Sequence, residues 1–341
     1  MLISDGIFIK GGELKVMRAL WRLVIIIGQS FLSLLVLSCL VFVLLKAVPG
    51  DELQAWYGAA ADNLTLHEQE ALREQLGLNA PWYQQYGHWL WQVIHLDLGI
   101  SLAYKQPLNT LLPPLIYNTV LLGGISCLTI FTLVLLLALL CARFEGQFID
   151  KALCSLGTLF FFTPAFWLAV LLILLLSVNL GYLPSSGAYD PGMQQSIGNR
   201  LYHLILPVTV LTLSHMWYYA ALLRGRLLNE LRADYILQAK ASGLSSCGIL
   251  MQALRALIPY SLHLMAIALP HILGGTYVIE AVFNYPGLGR LLVASACNHD
   301  YTVLLATVLF TGTLAIGAGL MAKLVSSSFD PRWEKKMEER W

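Results

Sequence analysis

Charged side chains are scarce in this 341-residue chain, where Asp, Glu, Lys and Arg make up only 12% of the residues. Soluble domains typically contain about 25%. Six long stretches contain no charged residue at all, and each exceeds the roughly 20 residues that a helix needs to cross a bilayer. This composition excludes an ordinary soluble domain and predicts a protein that crosses the membrane several times. The charge-free stretches are residues 23–45, 115–142, 152–181, 201–223, 256–279 and 301–322.

Several motifs that would supply chemistry are also missing. The sequence has no Gly-x-x-x-x-Gly-Lys-Ser/Thr loop to hold phosphates, and "HEQEA" (67–71) lacks the second His of a zinc-protease helix. The six cysteines form neither a disulfide framework nor a paired metal motif. We therefore expect no enzymatic activity, no catalytic residue, no stable metal site and no cofactor bound by this chain. Any energy source must come from a partner.

The six stretches predict an all-α polytopic membrane protein with six transmembrane helices. Lipid admits only helices and closed barrels, and no stretch shows the alternating pattern of barrel strands. We divide the chain into an N-terminal segment (1–22), a first transmembrane helix (23–45), an external polar segment (46–114), a five-helix core (115–326) and a tail (327–341). The core helices are predicted at about 117–140, 156–178, 203–223, 257–279 and 303–325, with a cytoplasmic loop at 224–256.

Basic residues predict the orientation. Sixteen Lys and Arg residues flank one side of the six spans and only five flank the other. Because cytoplasmic loops are enriched in Lys and Arg, both termini are expected in the cytoplasm. The net charge of +1 gives no indication of nucleic-acid binding, and the lipid bilayer is the expected surrounding.

The external segment contains recognisable helix signals. Thr65 and Glu68 form a capping-box pattern, and Gly77 is placed to end the helix that follows. An aromatic run between residues 82 and 91 suits a segment that lies along the membrane interface. Interfacial anchoring is the favoured interpretation of this run, and ligand binding is the alternative.

The loop at 224–256 is too polar to cross the membrane and too apolar to be a linker. It predicts a short helix over 233–244 that ends at Gly243, and a second helical stretch over 247–257. The first helix has an apolar face formed by Tyr235, Ile236, Ala239 and Leu244. That face either docks into a groove of another protein or packs beneath the protein's own helices.

Two motifs in order resemble the dipeptide, oligopeptide and nickel family of ABC-importer permeases. "QAKASGL" (238–244) followed by "ALRALIP" (253–259) is similar to that family's cytoplasmic coupling loop. Leu237 and Gln238 depart from the Glu-Ala start of the general pattern. "IEAVFNYPGLGR" (279–290) resembles the segment after the family's fifth helix. The coupling-loop matches are Tyr235, Ala239, Lys240 (in place of Arg), Gly243 and Leu244.

The resemblance covers roughly residues 16–332 and implies a type I importer permease fold in the bacterial inner membrane. Further matches are "VPGD" (48–51), "LDLGIS" (96–101), "TPAFWLA" (163–169), "YLPSSG" (182–187), "HLILP" (203–207) and "FDPR" (329–332). The stretch 83–101 is most similar to the nickel-permease branch. The implied partners are a homologous second permease, two cytoplasmic ABC ATPases that hold ATP and Mg²⁺, and a periplasmic or lipid-anchored solute-binding protein.

The segment 279–290 is implied to lie at the external mouth. Glycines permit a tight turn there, and such a turn can require a positive φ at Gly287. Glu280 is costly in lipid, so we expect it to face a water-filled cavity or to pair with Arg290. The segment is equally compatible with a gate and with a structural re-entrant turn. The candidate gate residues are Glu280, Phe283, Tyr285, Pro286, Gly287, Gly289 and Arg290.

Imidazole and thioether side chains within the spans suggest the cargo. Such groups suit Ni²⁺ or softer ions, although membrane helices also keep them for hydrogen bonds and packing. The candidate path residues are His215, Met216, His263, Met265 and His271. We favour nickel, free or chelated, over di- or oligopeptides as cargo. A passive channel would need rings of charge along its pore, and the charge-free spans disfavour it.

Overall fold

The computed structural model describes residues 5–47, 64–75, 77, 79–101, 104–297 and 300–329. Its helices are α1 (Asp5–Ala47), α2 (Leu66–Gln75), α3 (Trp82–Ile94), α4 (Leu108–Arg143), α5 (Phe148–Phe162), α6 (Ala165–Leu172, extended by a π-helix Ile173–Asn179), α7 (Ile197–Leu231), α8 (Asp234–Ala241), α9 (Ser246–Val282), α10 (Leu288–Cys297) and α11 (Tyr301–Phe329). One antiparallel hairpin pairs β1 (Ile100–Ser101) with β2 (Gln106–Pro107). The predicted all-α class is confirmed.

Among the described residues, five helices are long and apolar enough to cross a membrane, and the bent pair formed by α5 and α6 makes a sixth candidate. Contacts with α7 place the two ends of this pair near opposite ends of that helix. Asp150, in α5, is ion-paired with Arg224 near the C-terminal end of α7. Beyond α6, Ser186 contacts His203 near the N-terminal end of α7, through its carbonyl oxygen 3.0 Å from Nδ1. The 21 residues from His203 to Arg224 span about 32 Å of helix, close to the ~30 Å of a bilayer core.

The third predicted span is broken near its middle. The helices Phe148–Phe162 and Ala165–Asn179 meet at an angle of 101° rather than forming one continuous helix over 156–178. Thr163 is extended (φ −81°, ψ 123°) and Pro164 follows it. Proline lacks an N–H and disfavours helical geometry in the residue before it, which explains the break.

The core lies where α4, α7 and α9 pack against one another, with α11 on the outer side of α9. Its centre is built of apolar side chains of these three helices, including Ile130, Leu223 and Leu257. By contrast, α1 lies at the periphery against α11 and α3, and most of its described side chains are exposed. Exposed leucines and valines on α1 are expected of a helix that faces lipid.

The described part of the segment 46–114 folds as its local signals predict. Glu68 accepts the Thr65 backbone N–H at 2.8 Å and its hydroxyl at 2.7 Å, and Gly77 has a φ of +67°. The aromatic helix α3 packs on the end of α1 through Tyr86, whose hydroxyl lies 2.9 Å from that of Ser38. The "VPGD" match, most of "FDPR" and the tail after 329 lie outside the described residues.

Candidate functional site

The loop between α7 and α9 contains the predicted short helix, which runs from Asp234 to Ala241. Gly243 follows it with a φ of +79° and donates its N–H to Lys240, while Leu244 donates to Ala239. These two bonds form a Schellman motif, in which the left-handed residue lets the chain turn away from the helix. The sequence pattern therefore located both the helix and its end.

The two interpretations of this helix each describe one of its faces. Ile236 is fully buried in the core beneath α4, α7 and α9, and Tyr235 packs beside it. Leu237 and Leu244 point the other way and are 55% and 45% exposed. The helix thus packs under its own bundle and leaves these two leucines exposed at the same end of the protein. Ala239 is half-buried and Lys240 is exposed.

Ion pairs hold this end of the bundle together. Asp150 accepts two hydrogen bonds from Arg224, one from Nε at 2.9 Å and one from Nη2 at 2.6 Å. The bidentate geometry fixes α5 against α7. Glu145 forms an ion pair with Arg232 at 2.7 Å, which links the loop between α4 and α5 to the end of α7.

A second contact fixes α8 to α7. The Tyr235 hydroxyl donates to Glu230 Oε2 at 2.8 Å. Burial, and then this hydrogen bond, raise the pKa of Tyr235 to about 12, so its hydroxyl remains a donor at neutral pH. The start of α8 is therefore anchored to α7 by a hydrogen bond from a neutral phenol to the Glu230 carboxylate.

At the opposite end, Glu280 lies inside the protein rather than in a water-filled cavity. It is fully buried, and its Oε2 accepts the Gly289 N–H at 2.6 Å. Within the described residues it makes no ion pair with Arg290. Because that N–H belongs to the first turn of α10, the carboxylate caps a helix start in this conformation.

The glycines of the turn are required for close approach. A Cβ on Gly287 would lie 2.4 Å from the Glu280 carboxyl carbon, and one on Gly289 would lie 2.2 Å from the Tyr277 Cα. The positive φ expected at Gly287 occurs instead at Asn284, with a value of +47°. Asparagine tolerates this conformation better than most residues do.

Two polar residues of α4, neither predicted from the sequence, hold the same turn. Asn118 Nδ2 donates to the Pro286 carbonyl at 2.8 Å, and Thr119 Oγ1 accepts the Leu288 N–H at 2.8 Å. Phe283 and Tyr285 are almost fully buried and pack the turn against α6 and α7. Adjacent Asn and Thr in a charge-free span were the available signal, since polar groups there need partners.

The loop before α7 is attached to this turn as well. Gly187 donates its N–H to the Phe283 carbonyl at 2.9 Å. His203 Nδ1 faces the carbonyls of Ser186 and Gly187 at 3.0 and 3.2 Å, and its Nε2 faces Asp190 at 3.3 Å. The Asn199 amide, and after it His203, hold the pKa of Asp190 below its usual range.

In the middle of the spans, α7 and α9 bring two of the five candidate path residues together. The rings of His215 and His271 are 5.1 Å apart at 72°. His215 Nδ1 lies 2.9 Å from the Leu211 carbonyl, and His271 Nδ1 lies 3.2 Å from the Tyr219 hydroxyl. Tyr219 was not identified from the sequence, although it lies one helical turn after His215.

The other three candidates lie elsewhere. Met216 is buried in the core and Met265 packs against the same core, so both have packing partners in this conformation. His263 is half-buried, eight residues before His271 on α9, a separation of about 12 Å along the helix. No group of three or more metal-type side chains occurs within the part of the chain that the structure describes.

Comparison with solved structures identifies the architecture. The protein aligns with a chain of the MetNI methionine ABC transporter in an inward-facing conformation, with a TM-score of 0.54. The two are 19% identical, and the alignment covers 65% of this chain and 98% of the MetNI chain. The protein has the fold of a type I ABC-importer permease. This similarity concerns the fold alone, because an identity of 19% supports no inference about function.

Family models identify the class of protein. Residues 134–335 match the model described as binding-protein-dependent transport system inner membrane component, and residues 17–102 match the corresponding N-terminal model. The chain belongs to this family, a multi-pass permease of the bacterial inner membrane. It is 32% identical to the oligopeptide transport system permease protein AppB of Bacillus subtilis, over 93% of this chain and 98% of that one. It is 31% identical to the metal-staphylopine import system permease protein CntB of Staphylococcus aureus, over 76% and 80%.

Proposed function

We propose that this chain forms one half of the translocation path of an ATP-driven importer for nickel, free or chelated. The observation that supports nickel as the cargo is the contact between His215 and His271 halfway along two spans. Imidazole is a ligand suited to Ni²⁺, and importer sites commonly lie near the bilayer midplane. The similarity of residues 83–101 to nickel permeases, and a relative named for metal import, support the same cargo.

The other half of the path would come from a homologous permease. Two cytoplasmic ATPases would bind the exposed face of α8 with their ATP and Mg²⁺, and a solute-binding protein would dock outside. Closure of the ATPases would move α8, and with it α7 through the Tyr235–Glu230 contact. Such a movement can bias a helix bundle between inward and outward openings.

Import of di- or oligopeptides is the alternative cargo. Its support is the identity of 32% to a permease named for oligopeptide transport, over nearly the whole of both chains. The two proposals share every partner and differ only in what the path accepts.

Uptake assays can separate the two cargoes. The chain would be expressed with the permease, ATPases and binding protein of its own operon, in cells that lack other nickel and dipeptide importers. We expect accumulation of ⁶³Ni²⁺ that excess dipeptide does not suppress. Accumulation of a labelled dipeptide without nickel would assign the peptide cargo instead.

Crosslinking can test the ATPase contact independently. In a background without exposed cysteines, Leu237→Cys should crosslink to an ATPase subunit, because its side chain is 55% exposed on the outer face of α8. Leu66→Cys is a matched control, since Leu66 is 83% exposed on α2, which the distribution of basic residues predicts to lie outside the cytoplasm. Equal crosslinking at both positions, or none at Leu237→Cys, would contradict docking at α8.

A further inference from the structure

We propose that His215 and His271 together bind a transition-metal chelate that brings most of its own ligands, and not a free ion. This inference rests on the proposed function, because it specifies the chemical form in which the path accepts the metal. It follows from the tautomers of the two rings, from their spacing, and from the lack of a third His, Cys, Asp or Glu beside them among the described residues.

Hydrogen bonding leaves a lone pair on His215. Its Nδ1 faces the Leu211 carbonyl at 2.9 Å, and a carbonyl can only accept. Nδ1 must therefore carry the proton, and Nε2 is the unprotonated nitrogen of the neutral ring. This is the arrangement found in metal-binding histidines, where a backbone carbonyl fixes the tautomer and the other nitrogen binds the metal.

His271 can take the same form. Its Nδ1 lies 3.2 Å from the Tyr219 hydroxyl, which can both donate and accept. When Nδ1 donates to the Tyr219 oxygen, Nε2 of His271 also has a free lone pair. Tyr219 thus acts as a positioning residue that accepts a hydrogen bond from His271 Nδ1 and holds its ring.

The spacing of the rings suits one shared ion. With metal–nitrogen bonds of about 2.1 Å and an angle of about 90–110° between them, two imidazoles on one metal have centroids about 4.5–5.5 Å apart. The observed separation is 5.1 Å. The approach of α9 depends on Gly275, where a Cβ would lie 3.0 Å from Cε1 and 3.2 Å from Nε2 of His215.

The described residues of this chain offer only two nitrogens to an ion at this place. Ni²⁺ and Cu²⁺ prefer four to six donors, and the described residues supply no third His, Cys, Asp or Glu to this pair. The described parts of α7 and α9 near the pair also offer no carboxylate to offset a double positive charge at mid-membrane, where charge is costly. A chelate with acidic donors would supply the missing ligands and reduce the charge, and the two imidazoles would fill its open positions.

The pair is reachable from outside the bundle. His271 and the adjacent Gly274 are exposed on α9, and no atom lies within 4 Å of a Cβ placed on Gly274. An exposed imidazole facing lipid would be unfavourable, so this face is expected to line a polar path.

Binding of Ni²⁺–nitrilotriacetate to the purified full-length protein tests the inference, because this tetradentate chelate leaves two adjacent positions open. The protein would carry no histidine tag, and X-ray absorption at the nickel edge would count bound imidazoles. We expect two imidazoles per nickel in the wild type and at least about tenfold weaker binding in His215→Gln or His271→Gln, since even an outer-shell partner of a metal site is worth ~10–100-fold.

Glutamine retains the size and a donor for the Leu211 carbonyl, so the fold should survive, as a thermal melt would check. His67→Ala, which removes an exposed imidazole on α2, should not change the two-imidazole signature.

Each result decides for or against the site. Wild-type binding in both glutamine variants would overturn it, and so would tighter binding of Ni²⁺ alone than of the chelate to the same two residues. Gly275→Ala should weaken chelate binding while retaining both histidines. The proposed cargo can fail separately: peptide uptake alongside an intact two-imidazole signature would reject nickel import and leave the site standing. Nickel uptake without that signature would reject the site only.

Discussion

At the scale of single residues, the external turn depends on glycine because there is no space for a side chain. A Cβ on Gly289 would lie 2.2 Å from the Cα of Tyr277, a backbone atom that cannot rotate away. We predict that Gly289→Ala lowers the free energy of unfolding by about 1–3 kcal/mol, the usual effect of overpacking. A thermal melt of the purified permease would measure the loss.

A matched substitution separates this effect from a general cost of replacing glycine. Gly198 also lies in the first turn of a helix at the external end, and no atom lies within 4 Å of its added Cβ. Gly198→Ala should leave the melting temperature unchanged or raise it slightly, since alanine favours helix. If both variants melted alike, close packing at Gly289 would not be the reason for its glycine.

The sequence indicated that this turn is special but not how it is built. Glycines at 287 and 289 predict a tight turn, yet the left-handed residue is Asn284, and the glycines instead admit Glu280 and Tyr277. A local sequence pattern predicts where the backbone can turn. The close contact of the glycines with Glu280 and Tyr277 depends on how α9 and α10 pack, which a local pattern does not specify. For the same reason Glu280 was expected to face a water-filled cavity or to pair with Arg290, and it is instead buried against the Gly289 N–H.

At the scale of elements, the end of α8 is fixed by backbone conformation alone. Gly243 has a φ of +79°, and no atom lies within 4 Å of an added Cβ. Gly243→Val should therefore cost roughly 1–2 kcal/mol through strain, and Gly243→Asn much less, because Asn tolerates the left-handed region. We expect valine to uncouple ATP hydrolysis from uptake, with asparagine close to the wild type, in reconstituted vesicles.

Two outcomes would contradict coupling through this turn. One is normal transport by Gly243→Val. The other is equal loss in the valine and asparagine variants, which would indicate that side-chain volume rather than backbone conformation matters there. Membrane levels of each variant would be measured first, so that loss of the protein is not read as loss of coupling.

The loop before α7 should respond to pH. Asp190 has a lowered pKa, because Asn199 and then His203 hydrogen-bond to it, so its contribution is present above about pH 4 and lost as the pH falls below that. We predict faster amide exchange in residues 180–196 at about pH 3 than at about pH 6, after correction for intrinsic rates. Asp190→Asn should abolish the difference, and an unchanged difference in that variant would assign it to another group.

Elements with local signals could be predicted, and those that depend on tertiary contacts could not. The Thr65–Glu68 box and the Gly243 cap each lie within six residues of sequence, and the structure contains both. The break at Pro164 was missed because a charge-free run predicts where a span lies and not whether it is straight. The His215–His271 contact needed α7 and α9 to be brought together, which no spacing in the sequence specifies.

At the scale of the whole molecule, contacts sort the loops into two ends. The Glu145–Arg232 and Asp150–Arg224 pairs lie at one end, together with α8. At the other, Gly187 bonds Phe283, and the Ser101 hydroxyl donates to Asp300 at 2.9 Å. Because α7 separates the two groups by about one bilayer thickness, the arrangement fits six crossings with the bent pair counted once.

Which end faces the cytoplasm remains a prediction that rests on charge. Sixteen of the 21 Lys and Arg residues flank the end that contains α8, and such a bias sets the orientation of membrane helices. Reporter fusions check it directly, because alkaline phosphatase is active only outside the cytoplasm and green fluorescent protein fluoresces only inside. We expect cytoplasmic signals from fusions after Glu13, Glu145, Asp234 and Glu338, and external signals after Glu70, Asp190 and Cys297. The informative pair is Glu145 and Asp190, since these residues flank the bent helices. If both reported the same side, α5 and α6 would form a re-entrant loop, and the chain would cross five times with its termini on opposite sides.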